Sequence, residues 1–272
     1  MFSGFIVFQA YGNKDILHEV LISISSILRF SSSAKFQLVI YTDSKDYLKK
    51  WLPEGIMFVD TPLTKWEEWK GEQRFVHRAK IEMLRDFVAR NEGNVLYCDT
   101  DTYFLESPEK LFSDIANGEL IMHMDEGQLK DSENLVFRKL EKFLKGYKRH
   151  VIPASTHMWN AGVLGFKSSD RELLDKVLAL SDSLHAAYPK HVMEQLAFSV
   201  CFQVRGRRSC EDTIFHYWDF KDYRRVLSSF FEENGGQPYK VWSSKIAEIL
   251  PMDLRESMKN KTKPSFWKRI FG

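Results

Sequence analysis

The 272-residue sequence predicts an α/β protein: a mostly parallel, Rossmann-like sheet flanked by helices. Three observations carry this expectation. Apolar runs of strand length alternate with segments of helical spacing over the first hundred residues, the pattern of strand–helix–strand units. Three of the runs end in polar or glycine-containing loops at Tyr11, Thr42 and Asp99, and ligands bind beyond the carboxyl ends of the strands in such sheets. With 44% hydrophobic and 28% charged residues, the chain also has the composition and length to bury a full core.

The elements follow in order. Gly4 to Ala10 reads as a buried strand closing on Tyr11-Gly12-Asn13-Lys14, and Ile16 to Leu28 as an amphipathic helix. Phe36 to Tyr41 is a second strand. Its loop, Thr42-Asp43-Ser44, has the short polar side chains of a turn or helix N-cap before a helix over Lys45 to Trp51. Met57 to Val59 is a short third strand. Helical spacing over Glu72 to Val88 predicts the next helix, and Val95 to Cys98 a strand that runs straight into Asp99-Thr100-Asp101. Further on, Leu120 to Met124 and Gly162 to Phe166 read as strands, Leu135 to Tyr147 and Arg171 to Leu184 as helices. No repeat or low-complexity linker divides residues 1–258, expected to form one domain; residues 259–272 change character.

A formal net charge of +2 is too mild for a chain that tracks nucleic-acid phosphates, so no nucleic-acid partner is expected. Three cysteines, Cys98, Cys201 and Cys210, without CxxC spacing, read as reduced thiols. Neither a signal-peptide pattern nor a membrane-length apolar run is present, which predicts a cytoplasmic protein.

The chemistry concentrates at Asp99 and Asp101. Two carboxylates one residue apart, at the end of an apolar strand, can converge on a hard divalent cation that bridges to phosphate oxygens. A plain strand-end turn, in which Asp satisfies backbone donors, is the other reading of the same residues.

Here the sequence resembles the nucleotide-diphospho-sugar transferases of the GT-A fold, nearest to the family-8-like glycosyltransferases. Val95-Leu96-Tyr97-Cys98-Asp99-Thr100-Asp101-Thr102-Tyr103-Phe104, then Trp159-Asn160-Ala161-Gly162-Val163-Leu164, then Glu194-Gln195 carry the resemblance, in order and spacing over Phe5 to Tyr217. The resemblance implies a nucleotide-sugar donor, UDP-linked by preference; contact of residues 259–272 with a membrane would imply a glycan or lipid-linked acceptor. It places Mn²⁺ or Mg²⁺ and the donor diphosphate on the Asp99-Thr100-Asp101 segment, the sugar on Asn160, Ala161 and Gly162, and a third metal ligand at His216. Glu194 and Gln195 fall in the region facing the reactive sugar carbon, where a carboxylate can serve as base or stabilise developing positive charge. The chain departs from the family after His216: it continues Trp218-Asp219-Phe220-Lys221 in place of a Gly and a Lys-Pro-Trp-like stretch, leaving Lys221 to supply the phosphate contact. An imidazole among oxygen ligands favours Mn²⁺ over Mg²⁺. A histidine between Phe215 and Tyr217 is equally readable as a packed, hydrogen-bonded side chain.

Other candidates rest on the residues alone. Ala10, Tyr11 and Gly12 offer tight backbone and a ring to stack on a base, and Asp43 an acceptor for base or ribose, with a turn glycine and an N-cap as the plainer roles. Arg74, His77, Arg78 and Lys80 form a basic cluster at helical spacing, either near the donor phosphates or solvated. Residues 259–272 interleave Lys259, Lys261, Lys263, Lys268 and Arg269 with Phe266, Trp267, Ile270 and Phe271, a composition that can touch an anionic membrane peripherally or fold onto the domain. Two rival functions remain: a haloacid-dehalogenase-like phosphatase, for which Tyr103 stands where Thr or Val is required, and a non-catalytic nucleotide-sugar-binding module.

Overall fold

The computed structural model describes residues 4–30 and 36–259. Along the chain run β1 (Gly4–Gln9), α1 (Lys14–Leu28), β2 (Phe36–Thr42), α2 (Lys45–Lys49), β3 (Met57–Asp60), α3 (Leu63–Trp69), α4 (Arg78–Arg90), β4 (Asn94–Cys98) and β5 (Thr102–Phe104). Next come α5 (Glu109–Ala116), β6 (Leu120–Met122), β7 (Asp125–Gln128), α6 (Leu135–Gly146), β8 (His157–Trp159), β9 (Val163–Lys167), α7 (Arg171–Ala187) and α8 (Met193–Cys201). The described part closes with β10 (Arg207–Ser209), β11 (Ile214–His216), α9 (Asp222–Glu233), α10 (Tyr239–Ile246) and α11 (Pro251–Lys259). The basic-aromatic segment 259–272 lies outside the described residues, apart from the backbone of Lys259.

Seven strands form the main sheet in the order β10-β6-β9-β4-β1-β2-β3. β3, β2, β1 and β4 are mutually parallel, as the alternating pattern predicts. Their side chains alternate between two cores: Val7, Val39, Val95 and Tyr97 enter one, Ile6, Ile40, Leu96 and Cys98 the other. Burial on both faces explains why β1, β2 and β4 read as continuous apolar runs, whereas the edge strand β3 is partly exposed.

β9 differs from the rest because it runs antiparallel to both β4 and β6. Its first residue therefore lies at the carboxyl end of its neighbours, and the preceding Asn160-Ala161-Gly162 reaches the same rim as the loops after β1, β2 and β4. One further bond, from the Asp99 N–H to the Gly162 carbonyl at 2.7 Å, extends the β4–β9 ladder into the loops.

The helix expected from Glu72 begins only at Arg78. Gly71 (φ 68°) and Arg74 (φ 53°) are left-handed, so the chain turns before it can coil. Two small antiparallel pairs, β5 with β11 and β7 with β8, sit beside the main sheet. The first opposes Thr102 to His216.

Candidate metal and donor site

The β5–β11 pairing explains how a histidine more than a hundred residues downstream meets the acidic pair. With Thr102 opposite His216, and the Tyr217 N–H bonded to the Asp101 carbonyl at 3.0 Å, the imidazole has one place to go. Its Nε2 lies 3.0 Å from Asp101 Oδ1 and 4.0 Å from Asp99 Oδ2. One ligand atom from each of Asp99, Asp101 and His216 lies within 4.8 Å of the others.

The imidazole is held from behind. Asn160 Oδ1 accepts the Gly162 N–H at 3.0 Å and faces His216 Nδ1 at 3.0 Å, so Nδ1 carries a proton and Nε2 turns to the carboxylates. Metal-binding histidines are commonly oriented through their other nitrogen in this way. Burial alone would lower the His216 pKa, but the Asp101 and Asp99 carboxylates outweigh it and raise it. Burial likewise tends to raise the Asp101 carboxyl, yet His216 and then Lys221 hold it well below the usual range. The carboxylates thus favour the protonated imidazole, and a divalent ion would take the place of the Nε2 proton. Two carboxylates and an imidazole in a half-open pocket fit such an ion, with Mn²⁺ favoured over Mg²⁺ by the nitrogen donor.

Lys80 lies beneath Asp99. Its side chain is 4% exposed, and its ammonium is 3.4 Å from Asp99 Oδ1, 3.0 Å from Glu194 Oε1 and 3.0 Å from the Ala161 carbonyl. Burial would discharge this lysine, but Asp99 and Glu194 together raise its pKa. Burial raises the Glu194 carboxyl in turn, with Lys80 opposing. Asp99 also accepts from the Tyr97 hydroxyl at 2.5 Å. Lys221, on the opposite side, is half-exposed, its Nζ 3.5 Å from Asp101 Oδ2.

These groups open into a cavity of about 340 Å³. Lys80, Asp99, Asp101, Asn160, Ala161, Gly162, Glu194, Gln195, His216 and Lys221 all border it. Two expected donor contacts point elsewhere. Arg78 pairs with Asp182 at 2.9 Å and Glu82 at 2.9 Å, because two residues along a helix turn a side chain some 200° from Lys80. The Thr100 hydroxyl is buried and faces Glu19 Oε2 at 3.3 Å, under the loop. Ala10, Tyr11, Gly12 and Asp43 form a separate group on the neighbouring strand ends. There Asp43 accepts the Gly12 N–H at 3.2 Å, instead of capping α2, and Tyr11 stacks on Trp66 at 4.0 Å.

Sequence reading missed Glu126. It joins the two sides of the cavity, taking Asn160 Nδ2 at 3.2 Å and Gln195 Nε2 at 2.6 Å. Glu126 lies in Asp125-Glu126-Gly127, which reads as a solvated turn until β7 pairs with β8. His191 and Trp218, also at the cavity, carried no signal beyond their residue type.

No protein-family model matches the sequence, and no curated protein matches it. Solved structures do match. The galactosyltransferase LgtC, in complex with donor and acceptor sugar analogues, superposes with a TM-score of 0.54 at 14% identity, over 76% of this chain and 74% of that one. The fold is of the GT-A type. Mouse xyloside xylosyltransferase 1, in its apo form, aligns over 76% of this chain and 86% of its own (TM-score 0.51, 12% identity). The bifunctional glycosyltransferase WbbM gives 0.51 at 14% identity, over 76% of this chain and 38% of its own. At these identities the likeness is one of fold. Within this GT-A fold, the acidic pair, His216 and the cavity occupy the carboxyl-end rim where such sheets bind ligands.

Proposed function

We propose that this protein is a metal-dependent glycosyltransferase, moving a sugar from a nucleotide-diphosphate donor, a UDP-sugar by preference, to a glycan or lipid-linked acceptor. The observation that carries the proposal is the convergence of Asp99, Asp101 and His216 at one edge of a cavity in a GT-A fold. Mn²⁺ or Mg²⁺ bound there would supply Lewis-acid neutralisation of the leaving nucleoside diphosphate. The protein's own groups do the rest. Lys221, half-exposed beside Asp101, is placed to contact a phosphate. Tyr11 offers a ring for the nucleobase, and the Gly12–Asp43 contact orders the loop beneath it.

Glu194 is less suited to general-base duty than to fixing charge, because Lys80, 3.0 Å away, favours its ionised form against the effect of burial. A carboxylate so placed can stabilise positive charge growing on the sugar carbon. Glu126 holds the Gln195 and Asn160 side-chain amides through their nitrogens, which orients Gln195 toward the sugar. On this reading residues 1–258 are the catalytic domain of a cytoplasmic enzyme and 259–272 its membrane-contacting tail. Among the described residues no helix is long and apolar enough to cross a membrane.

The test is a panel of UDP-, GDP- and CDP-sugars assayed for hydrolysis with and without Mn²⁺. Metal-dependent release of UDP is expected. Metal-dependent binding without turnover would point to a binding module, phosphate release from a phosphomonoester to a phosphatase, and preference for GDP-sugars would overturn the choice of UDP.

A further inference from the structure

The basic surface of α6 takes no part in the chemistry above. The helix buries Phe137, Leu140 and Leu144 on one side. Its opposite face carries Leu135, Arg138, Lys142 and Lys145, three or four residues apart, with Lys139 beside them. Lys145 is paired with Glu141 at 3.0 Å. Arg138, Lys139 and Lys142 are exposed, as are Lys148 and Arg149 just past the helix, and none of the five forms an ion pair among the described residues.

Five uncompensated cations within twelve positions repel one another and call for an anionic partner. The apolar residues at either end say which kind. Leu135 is 67% exposed and Val151 92% exposed, so the cations are bracketed by aliphatic side chains held in water. A soluble polyanion has no use for them, whereas a bilayer interface takes up both the cations and the aliphatic groups. Asn134, Val136 and Phe137, at the start of the same helix, border the cavity that holds the metal-binding triad.

We propose that α6 and the turn after it form a docking surface for an anionic bilayer, which sets the mouth of the cavity at the membrane plane. Docking itself is independent of glycosyl transfer; that it favours a lipid-linked acceptor rests on the function proposed above.

Co-sedimentation of the full chain with phosphatidylcholine vesicles, alone or with about one-third phosphatidylserine, tests the docking without reading any sugar transfer. Wild type should bind only the anionic vesicles, and more weakly at high salt. Replacing Arg138, Lys139, Lys142, Lys148 and Arg149 by Ser should weaken binding about tenfold or more, while the same change at Lys49, Lys50, Lys110, Lys176 and Lys240, which removes equal charge elsewhere, should cost about twofold or less. Leu135→Ser with Val151→Ser should weaken binding at unchanged charge. Unchanged far-ultraviolet circular dichroism and Mn²⁺ binding would show each variant folded. The proposal is overturned if wild type does not bind, or if the α6 variant binds like wild type or no worse than the charge-matched control. It also falls if Leu135 and Val151 are without effect and soluble polyphosphate is held as tightly as the vesicles, which would identify a soluble polyanionic partner.

Discussion

At Gly162 the backbone leaves room for a ring and nothing more. An added Cβ would lie 2.0 Å from His216 Cε1 and 2.3 Å from Nδ1, far inside contact distance. Gly162→Ala should therefore push the imidazole off Asn160 and away from the carboxylates. The expected result is a loss of Mn²⁺ affinity of about tenfold or more with an overpacking cost of about 1–3 kcal/mol, read by calorimetric titration and urea unfolding. An alanine variant that binds Mn²⁺ like wild type would show that His216 is not a ligand. The sequence offered Asn160-Ala161-Gly162 through resemblance alone. The physical need for glycine arises from a ring 54 positions later, which no local pattern contains. Glu126 was hidden for the same reason, since its partners Asn160 and Gln195 become neighbours only in the folded chain.

Among the elements, Lys80 fastens α4 to the loop after β4 through Asp99, to the segment before β9 through the Ala161 carbonyl, and to α8 through Glu194. Lys80→Met would leave the fully buried Glu194 carboxylate without its counter-charge, a loss of about 3–5 kcal/mol by analogy with other broken buried pairs. Adding Glu194→Gln should recover much of that in urea unfolding; additive losses in the double variant would show that the pair is not coupled. Local pattern was informative where periodicity is strong: β1, β2, β4, α1 and α7 fall close to where apolar spacing puts them. It failed in two instructive places. The start of α4 is set by left-handed Gly71 and Arg74 and not by the apolar spacing, which continues through them. The direction of β9 leaves no trace in its composition, because a strand buried on both faces reads alike whichever way it runs.

Over the whole molecule, the rim of the sheet is assembled from segments that the chain order separates, and its stability should depend on pH. Burial first, then neighbouring positive charge, pushes His77 and His123 down to about 4. Both stay neutral in the folded protein at pH values where the unfolded chain takes up protons near 6.5. Their contribution is therefore intact above about pH 6.5 and lost as pH falls toward 4, by on the order of 1–2 kcal/mol each near pH 5. Urea unfolding from pH 7.5 to 5 should show this decline, and His77→Gln should flatten it; an unchanged slope would mean that His77 titrates normally in the fold. Strand alternation made the Rossmann-like α/β architecture legible, and the resemblance around Asp99-Thr100-Asp101 suggested both its GT-A type and the edge proposed here as a metal centre. Mn²⁺ titration, followed calorimetrically, is the most direct test of that edge as a metal centre. Wild type should bind one ion, and Asp99→Ala with Asp101→Ala should abolish binding while the circular dichroism spectrum is unchanged; the same stoichiometry and affinity in the double variant would contradict a metal site at Asp99, Asp101 and His216.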